Sequence, residues 1–306
     1  MGQQAGALPS ARLRAARWPS PLRGPWPYLV PALVWFAVFG IFPLFYTIVV
    51  SVSDWSTASH SIIGLRHYAY LLQDGALLAS LNATAIFAVG TLCLSFVLGF
   101  GTALLLASED LYAASFFRSI LILPYVISPV VVGISFRLML HPILGVVNYL
   151  LGTTGKDWFG SPDTAMLSVI LITSWELTPF FAIILLAGLL ALPRDPYDAA
   201  RVDGAGTVQA FRYLTLPLLR PVCQVALLMG VIDVLKVFAI IYATTLGGPA
   251  SLTEVIGLYI WRTGFRFYRL DYAAAMAIVL VAGIAVLAFL TMRALGERAP
   301  AEGRAL

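Results

Sequence analysis

The stretch GPWPYLVPALVWFAVFGIFPLFYTIVVSVS, residues 24–53, carries no charged side chain. A helix that crosses the bilayer core needs about 20 consecutive apolar residues, so this segment alone assigns the chain to a membrane. Its apolar run is too long for a signal-peptide core, and no small-x-small cleavage pattern follows it, so it reads as an uncleaved first span. Working outward, charge-free runs recur at 75–108, 119–136 and 272–292. Two further stretches, 164–193 and 221–253, are interrupted only by Glu176 and by Asp233 with Lys236. The pattern predicts an all-α membrane protein with six transmembrane helices, near 28–50, 81–107, 116–140, 165–191, 221–244 and 272–293.

Composition agrees. Of 306 residues, 60% are hydrophobic and only 11% charged, against a usual charged share of about 25% in soluble domains. No segment between the spans is long enough to bury a core of its own, which excludes a soluble enzyme, a DNA-binding protein and a disulfide scaffold. Cys93 and Cys223 lie in or beside apolar runs without ligand spacing and read as small core residues, so no metal site is expected. The net charge of +4 does not point to nucleic acid, because the basic residues flank the spans, where orientation explains them.

With the N-terminus in the cytoplasm, six spans return the C-terminus to the same side. Arg12, Arg14, Arg17, Arg23, Arg118, Arg194, Arg201, Arg212, Arg220, Arg293, Arg298 and Arg304 then fall inside. Arg66, Arg137, Lys156, Arg262, Arg266 and Arg269 fall outside, and Lys236 lies within a span. The positive-inside rule therefore favours N-in, C-in, with Arg262, Arg266 and Arg269 as the dissent. The expected organisation is a cytoplasmic segment 1–27, a six-span domain 28–293 and a cytoplasmic tail 294–306. His60, His67 and His141, the only histidines, sit in or beside the outer loops.

One cytoplasmic segment, 192–220, differs in character from the rest. Asp195 before Pro196 predicts an N-cap and a helix start. The small Ala199 and Ala200 leave one face open to close approach, and Gly204 supplies a turn. A second amphipathic stretch, Val208 to Leu214, is expected to end at Leu216-Pro217 and Pro221. The spacing Asp198-Ala199-Ala200, three residues, Gly204, nine residues, Leu214, one residue, Leu216-Pro217 resembles the EAA loop of ATP-binding-cassette importer permeases. Asp198 stands where that family usually has Glu, and Leu214 where it usually has Ile.

Further pieces resemble the sugar-type permeases of the maltose-like and glycerol-phosphate-like group: Tyr28 to Pro31, Phe42-Pro43, Gly64 to Tyr68, Leu123-Pro124, Ile127-Ser128-Pro129, Trp175 to Phe180, Gly247-Gly248-Pro249 and Thr253-Glu254. The resemblance covers roughly 27–293. It implies a non-catalytic subunit in which Pro196 to Asp203 is a coupling helix seated on an ATPase, with Asp198, Ala199, Ala200, Asp203, Gly204, Leu216 and Pro217 forming the contact. It also implies a second permease, two ATPase subunits that bind the ATP and magnesium, an extracytoplasmic solute-binding protein, a sugar-like solute and a place in the bacterial inner membrane. No cofactor is expected in this chain.

Charged groups at bilayer depth cost about 2.5–3.5 kcal/mol each even on lenient scales, so Glu176, Asp233 and Lys236 need partners or a watery face. Asp233 and Lys236, three apart, form either a self-neutralising pair or part of a polar passage. Glu176 lies beside Trp175 and just before Pro179, which frees the Trp175 carbonyl, a set that suits sugar hydroxyls and ring faces. Trp175, Glu176, Asp233 and Lys236 are the substrate-path candidates. The same three charges could instead serve an ion-coupled secondary transporter. Neither lysine sits in a G-x-x-x-x-G-K-S/T loop, and no G-x-S-x-G or H-E-x-x-H occurs, so no catalytic site is expected.

Overall fold

The computed structural model describes residues 26–55, 61–108 and 114–296. Arg12, Arg14, Arg17 and Arg23, His60, the turn at 109–113 and the tail from 297 lie outside the described residues. The described residues are helical, with no strand beyond an isolated bridge between Ser53 and Ile62. The chain divides between Val49 and Val50 into two compact units. The first holds α1 (Trp26–Phe36), a π-helical turn (Ala37–Ile41) and all but the end of α2 (Phe42–Ser51). Together they make one apolar rod, Tyr28–Ser51, with Trp35, Phe39 and Phe45 exposed, as expected of a helix whose solvent is lipid.

The second unit contains α3 (Arg66–Leu71), α4 (Gly75–Ala107), α5 (Ala114–Val126), α6 (Pro129–Met139), α7 (Val146–Leu151), α8 (Ala165–Leu190), α9 (Asp195–Val202) and α10 (Thr207–Ala210). A π turn (Phe211–Thr215) leads into α11 (Leu216–Leu235), then α12 (Ala239–Thr244), α13 (Ile256–Trp261), a π turn (Arg262–Arg266) and α14 (Leu270–Gly296). Among the described residues, five helical segments are long and apolar enough to cross a membrane: Tyr28–Ser51, Gly75–Ala107, Ala165–Leu190, Thr207–Thr244 and Leu270–Arg293. The pair Ser115–Val126 and Pro129–Met139 passes the same test only together and is bent by 91°. The expected span 116–140 is therefore not one continuous helix. Pro129 disfavours the helical region for Ser128, whose ψ of 132° turns the chain at the break.

Helix α8 is the hub, its side chains largely buried against α4, with Phe181 and Leu185 fully enclosed. The two helices run parallel, Gly90 against Ile170 and Gly99 against Phe181. Small residues are what allow this approach, because lipid supplies no hydrophobic drive between helices and close packing must do so. Gly230 on α11 meets the same Phe181 ring, and Gly188 on α8 meets Leu219 and Val222 of α11.

Two prolines shape helices in the same way. Each of the π turns at Ala37–Ile41 and Phe211–Thr215 ends one residue before a Phe-Pro or Leu-Pro pair, Phe42-Pro43 and Leu216-Pro217. Proline has no N–H to donate and its ring crowds the carbonyl four residues back, and a widened turn relieves both. Leu216-Pro217 accordingly does not end a separate amphipathic stretch. The helix continues through it, so the fifth candidate span begins at Thr207 rather than 221 and breaks at Lys236–Phe238. Asp195 is the first residue of α9 rather than its side-chain cap, since Arg194 holds the N-cap position without a cap bond. Cys93 faces outward instead of into the core.

A Cβ built on Gly99 would lie 2.5 Å from the Phe181 Cβ and 3.0 Å from the Ala182 amide nitrogen, whereas Gly101 meets nothing within 4 Å. Gly99→Ala is expected to destabilise the purified protein by about 1–3 kcal/mol through overpacking. Gly101→Ala should be neutral or stabilising by up to about 1 kcal/mol. Thermal unfolding in detergent distinguishes the two variants, and equal melting would show that α4 and α8 are not in close contact.

Candidate functional site

Where a span breaks, backbone N–H and C=O groups lose their helical partners, and at membrane depth such backbone is tolerated only in protein or along a cavity. Both breaks open on one cavity of about 380 Å³, within the usual range for a small-ligand site of about 300–1,000 Å³. Tyr125 and Pro129 flank the first break, and Lys236, Val237, Phe238 and Ala239 form the second. The unbroken α8 closes the far wall with Thr173, Glu176 and Leu177. Helices α6 and α12 pack beyond the breaks, where a Cβ on Gly133 would come within 2.7 Å of the Ala243 Cβ.

Three of the four path candidates meet here: Glu176, Asp233 and Lys236 all line the cavity. The Lys236 Nζ lies 3.3 Å from Asp233 Oδ1. The pair is not mid-helix, as the sequence pattern implied. Lys236 is the C-cap of α11, where a cation also meets the negative end of the helix dipole. Glu176 faces the cavity without a hydrogen-bond or ion-pair partner among the described residues. Trp175 does not join them. Its ring packs edge-on against Phe136, centroids 5.5 Å apart, on another face of α8.

At the end of the bundle where α8 finishes, α9 has no buried residue, with Asp198, Ala199, Asp203 and Gly204 exposed and Ala200 half-buried. Asp198 and Arg201 form an exposed pair at 3.5 Å. Gly204 has φ +78° and closes α9, with its N–H on the Arg201 carbonyl and the Ala205 N–H on the Ala200 carbonyl. That is a Schellman closure, which needs the left-handed residue at this point. The Tyr197 hydroxyl donates to Thr215 Oγ1 at 3.0 Å, tying α9 to the turn that precedes α11. Leu216 and Pro217, predicted in the contact set, are exposed on the first turn of α11.

At the opposite end, Asp74 caps α4 by accepting from the Ala76 and Leu77 amides. It also accepts from the hydroxyls of Tyr259 at 2.8 Å and Tyr272 at 2.7 Å. Burial alone would raise the carboxyl, but these four donors hold it below its ordinary value of 3.8. Burial and the Asp74 carboxylate push the Tyr259 phenol up to about 12. Arg262 pairs with Glu254 at 2.8 Å and also donates to the Leu246 carbonyl. Nearby, Thr253 donates to the Gly248 carbonyl.

Sequence reading missed Tyr125, Thr173 and Phe238 as wall residues and Asp74 as a hub. The available signals were Ile127-Ser128-Pro129, whose proline breaks a span just after Tyr125, and Asp74-Gly75 as a cap at the head of an apolar run.

The family model for binding-protein-dependent transport system inner membrane components matches residues 24–299. A probable ABC transporter permease protein of Sinorhizobium fredii is 38% identical over 84% of this chain and 84% of its own length. The trehalose/maltose transport system permease protein of Thermococcus litoralis is 34% identical over 85% of this chain and 89% of its own. In the crystal structure of a bacterial alginate ABC transporter, in complex with an alginate pentasaccharide-bound periplasmic protein, one chain superposes with a TM-score of 0.76 at 25% identity. The match covers 87% of this chain and 91% of that one.

Because the folded-state pKa of Asp74 is lowered, its contribution to stability is present above the unfolded-state value and is lost as pH falls through the folded one. Asp74→Ala is expected to cost at least about 1 kcal/mol at neutral pH, the usual loss for an N-cap. The gap between wild type and variant should narrow below about pH 4. Thermal unfolding at pH 7 and pH 3.5 checks this, and a gap that widens on acidification would contradict it.

Proposed function

The chain belongs to the family of binding-protein-dependent transport system inner membrane components, and from that premise we propose which of its surfaces carry solute and which receive the drive. It is the permease subunit of a sugar-type ATP-binding-cassette importer, an integral membrane protein that is itself non-catalytic, with ATP hydrolysis in a partner subunit. The reading of Glu176, Asp233 and Lys236 as an ion relay in a secondary transporter is set aside accordingly.

The proposed topology has six spans with both termini in the cytoplasm, the bent pair α5 and α6 counting as one. It places the loop 192–220 on the cytoplasmic face of a bacterial inner membrane. There α9 is the coupling helix, and Asp198, Ala199, Ala200, Asp203 and Gly204 meet an ATPase cleft. That α9 has no buried residue supports this, as does the Tyr197 to Thr215 bond, through which a displaced α9 pulls directly on α11. A second permease, two ATPases and an extracytoplasmic binding protein complete the transporter. ATP and magnesium belong to the ATPases.

The solute path runs past Glu176, Asp233 and Lys236. The observation that carries this is their convergence on one cavity, walled by the broken ends of two helices. Half-helix ends beside unwound backbone supply both dipoles and free hydrogen-bonding groups, which is how membrane transport proteins of other folds bind polar cargo at depth. Trp175 drops out of the path, because it turns to Phe136.

Two experiments test the assignment. Gly204→Val forces a β-branched residue into the left-handed region, costing about 1–2 kcal/mol locally. It should leave the chain in the membrane while abolishing solute-stimulated ATP hydrolysis by the assembled transporter, and normal stimulation would remove α9 from the drive. Replacing Asp233 and Lys236 together by Ala removes both charges at once, and uptake in proteoliposomes should fall at least about tenfold, equivalent to ~1.4 kcal/mol. Assembly with the partner subunits is expected to persist, and unchanged uptake would reduce the pair to a device for membrane insertion.

A further inference from the structure

Membership of the family leaves the charge of the solute open, since one relative is named for trehalose and maltose and another structure is of an importer of the acidic polysaccharide alginate. We propose that the cavity selects against anions, taking neutral or amine-bearing sugars and rejecting sugar acids and sugar phosphates. This rests on the cavity being the solute path.

The argument begins with the charges that face the cavity. Asp233 and Lys236 are 3.3 Å apart and offset one another's charge, so the pair as a whole offers an anion no net positive charge. No other basic residue lines the walls. Glu176, opposite them on α8, has no cation and no donor beside it among the described residues, so its carboxylate is uncompensated and open to the cavity. An ionised carboxylate is an acceptor only, so what satisfies it must bring donors: hydroxyl groups or an ammonium. A second carboxylate or a phosphate brings like charge into a partly enclosed space where water screens it poorly.

The remaining walls suit the rest of a pyranose. Two aromatic residues line the cavity, Tyr125 beside the first break and Phe238 in the unwound backbone of the second. The Phe238 ring is held from behind by Tyr242 at 5.3 Å and Trp261 at 5.7 Å. Flat apolar surface with a few placed acceptors is the pattern by which sugars are bound, the C–H face on the ring and the hydroxyls on the polar groups.

The test uses the assembled transporter in nanodiscs without its binding protein, at pH 8, with D-glucose, D-glucosamine, D-glucuronate and glucose 6-phosphate as probes of one ring and different charge. Equilibrium binding is read by saturation-transfer NMR in wild type and in the isosteric Glu176→Gln. Glucose and glucosamine should bind at least about tenfold more tightly than the two anions in wild type, and the ratio should shrink to within about threefold in Glu176→Gln. Equal binding of glucose and glucuronate by wild type, or a ratio unchanged in Glu176→Gln, overturns the selection while leaving the cavity a sugar site. Absence of binding by all four probes in wild type overturns the solute-path reading itself.

Discussion

In hydrocarbon no water completes a broken helix, and this constraint orders the fold. Every proline inside a span frees a carbonyl, and this chain has several. At Pro43 and Pro217 the helix stays continuous, and a π turn ahead of the proline absorbs the mismatch. At Ser128-Pro129 it does not, and there the helix turns through 91° and the loose backbone faces a cavity. The second break, Lys236–Phe238, contains no proline. It follows Asp233 and begins at Lys236, and the same cavity receives it. Neither break is tolerable alone in lipid, and each gives the other a polar space to face.

The arrangement joins the two ends of the molecule through one element. Helix α11 begins at the turn bonded to Tyr197 of α9 and ends with Asp233 and Lys236 at the cavity. Its 20 residues span about 30 Å, close to the thickness of the bilayer core. It is packed on α8 where Gly188 admits Leu219 and Val222, and again where Gly230 admits the Phe181 ring. Movement of α9 therefore has a stiff route to the cavity wall, while α8, buried and continuous, gives that wall something fixed to move against.

Much of this was legible in the sequence, for a physical reason: in lipid the apolar runs are long and their ends sharp, so α8 and α14 fall within a few residues of expectation. The EAA-type loop was legible because Pro196 and Gly204 fix a short helix by local chemistry alone. The bend in the third span was not, although Ile127-Ser128-Pro129 was in view, because one proline near a helix start can equally kink a helix, cap one or break it. The neighbours decide, and here the turned segment α6 packs on α12, Gly133 against Ala243. The side chosen by Trp175 was hidden similarly, since spacing along α8 does not say which face Phe136 will meet.

The basic cluster at Arg262, Arg266 and Arg269 was the strongest objection to the proposed N-in, C-in arrangement, and the structure weakens it at Arg262. Arg262 is paired with Glu254 at 2.8 Å, both side chains mostly buried, so it adds little net charge to that end of the bundle. Arg269 lies over the Tyr272 ring at 4.6 Å, a contact that attracts the cation without cancelling it. The positive-inside rule counts arginines because free ones resist transfer. An arginine already bound to a carboxylate in a folded loop is a structural part, and discounting it leaves the balance of charge with α9 and its neighbours.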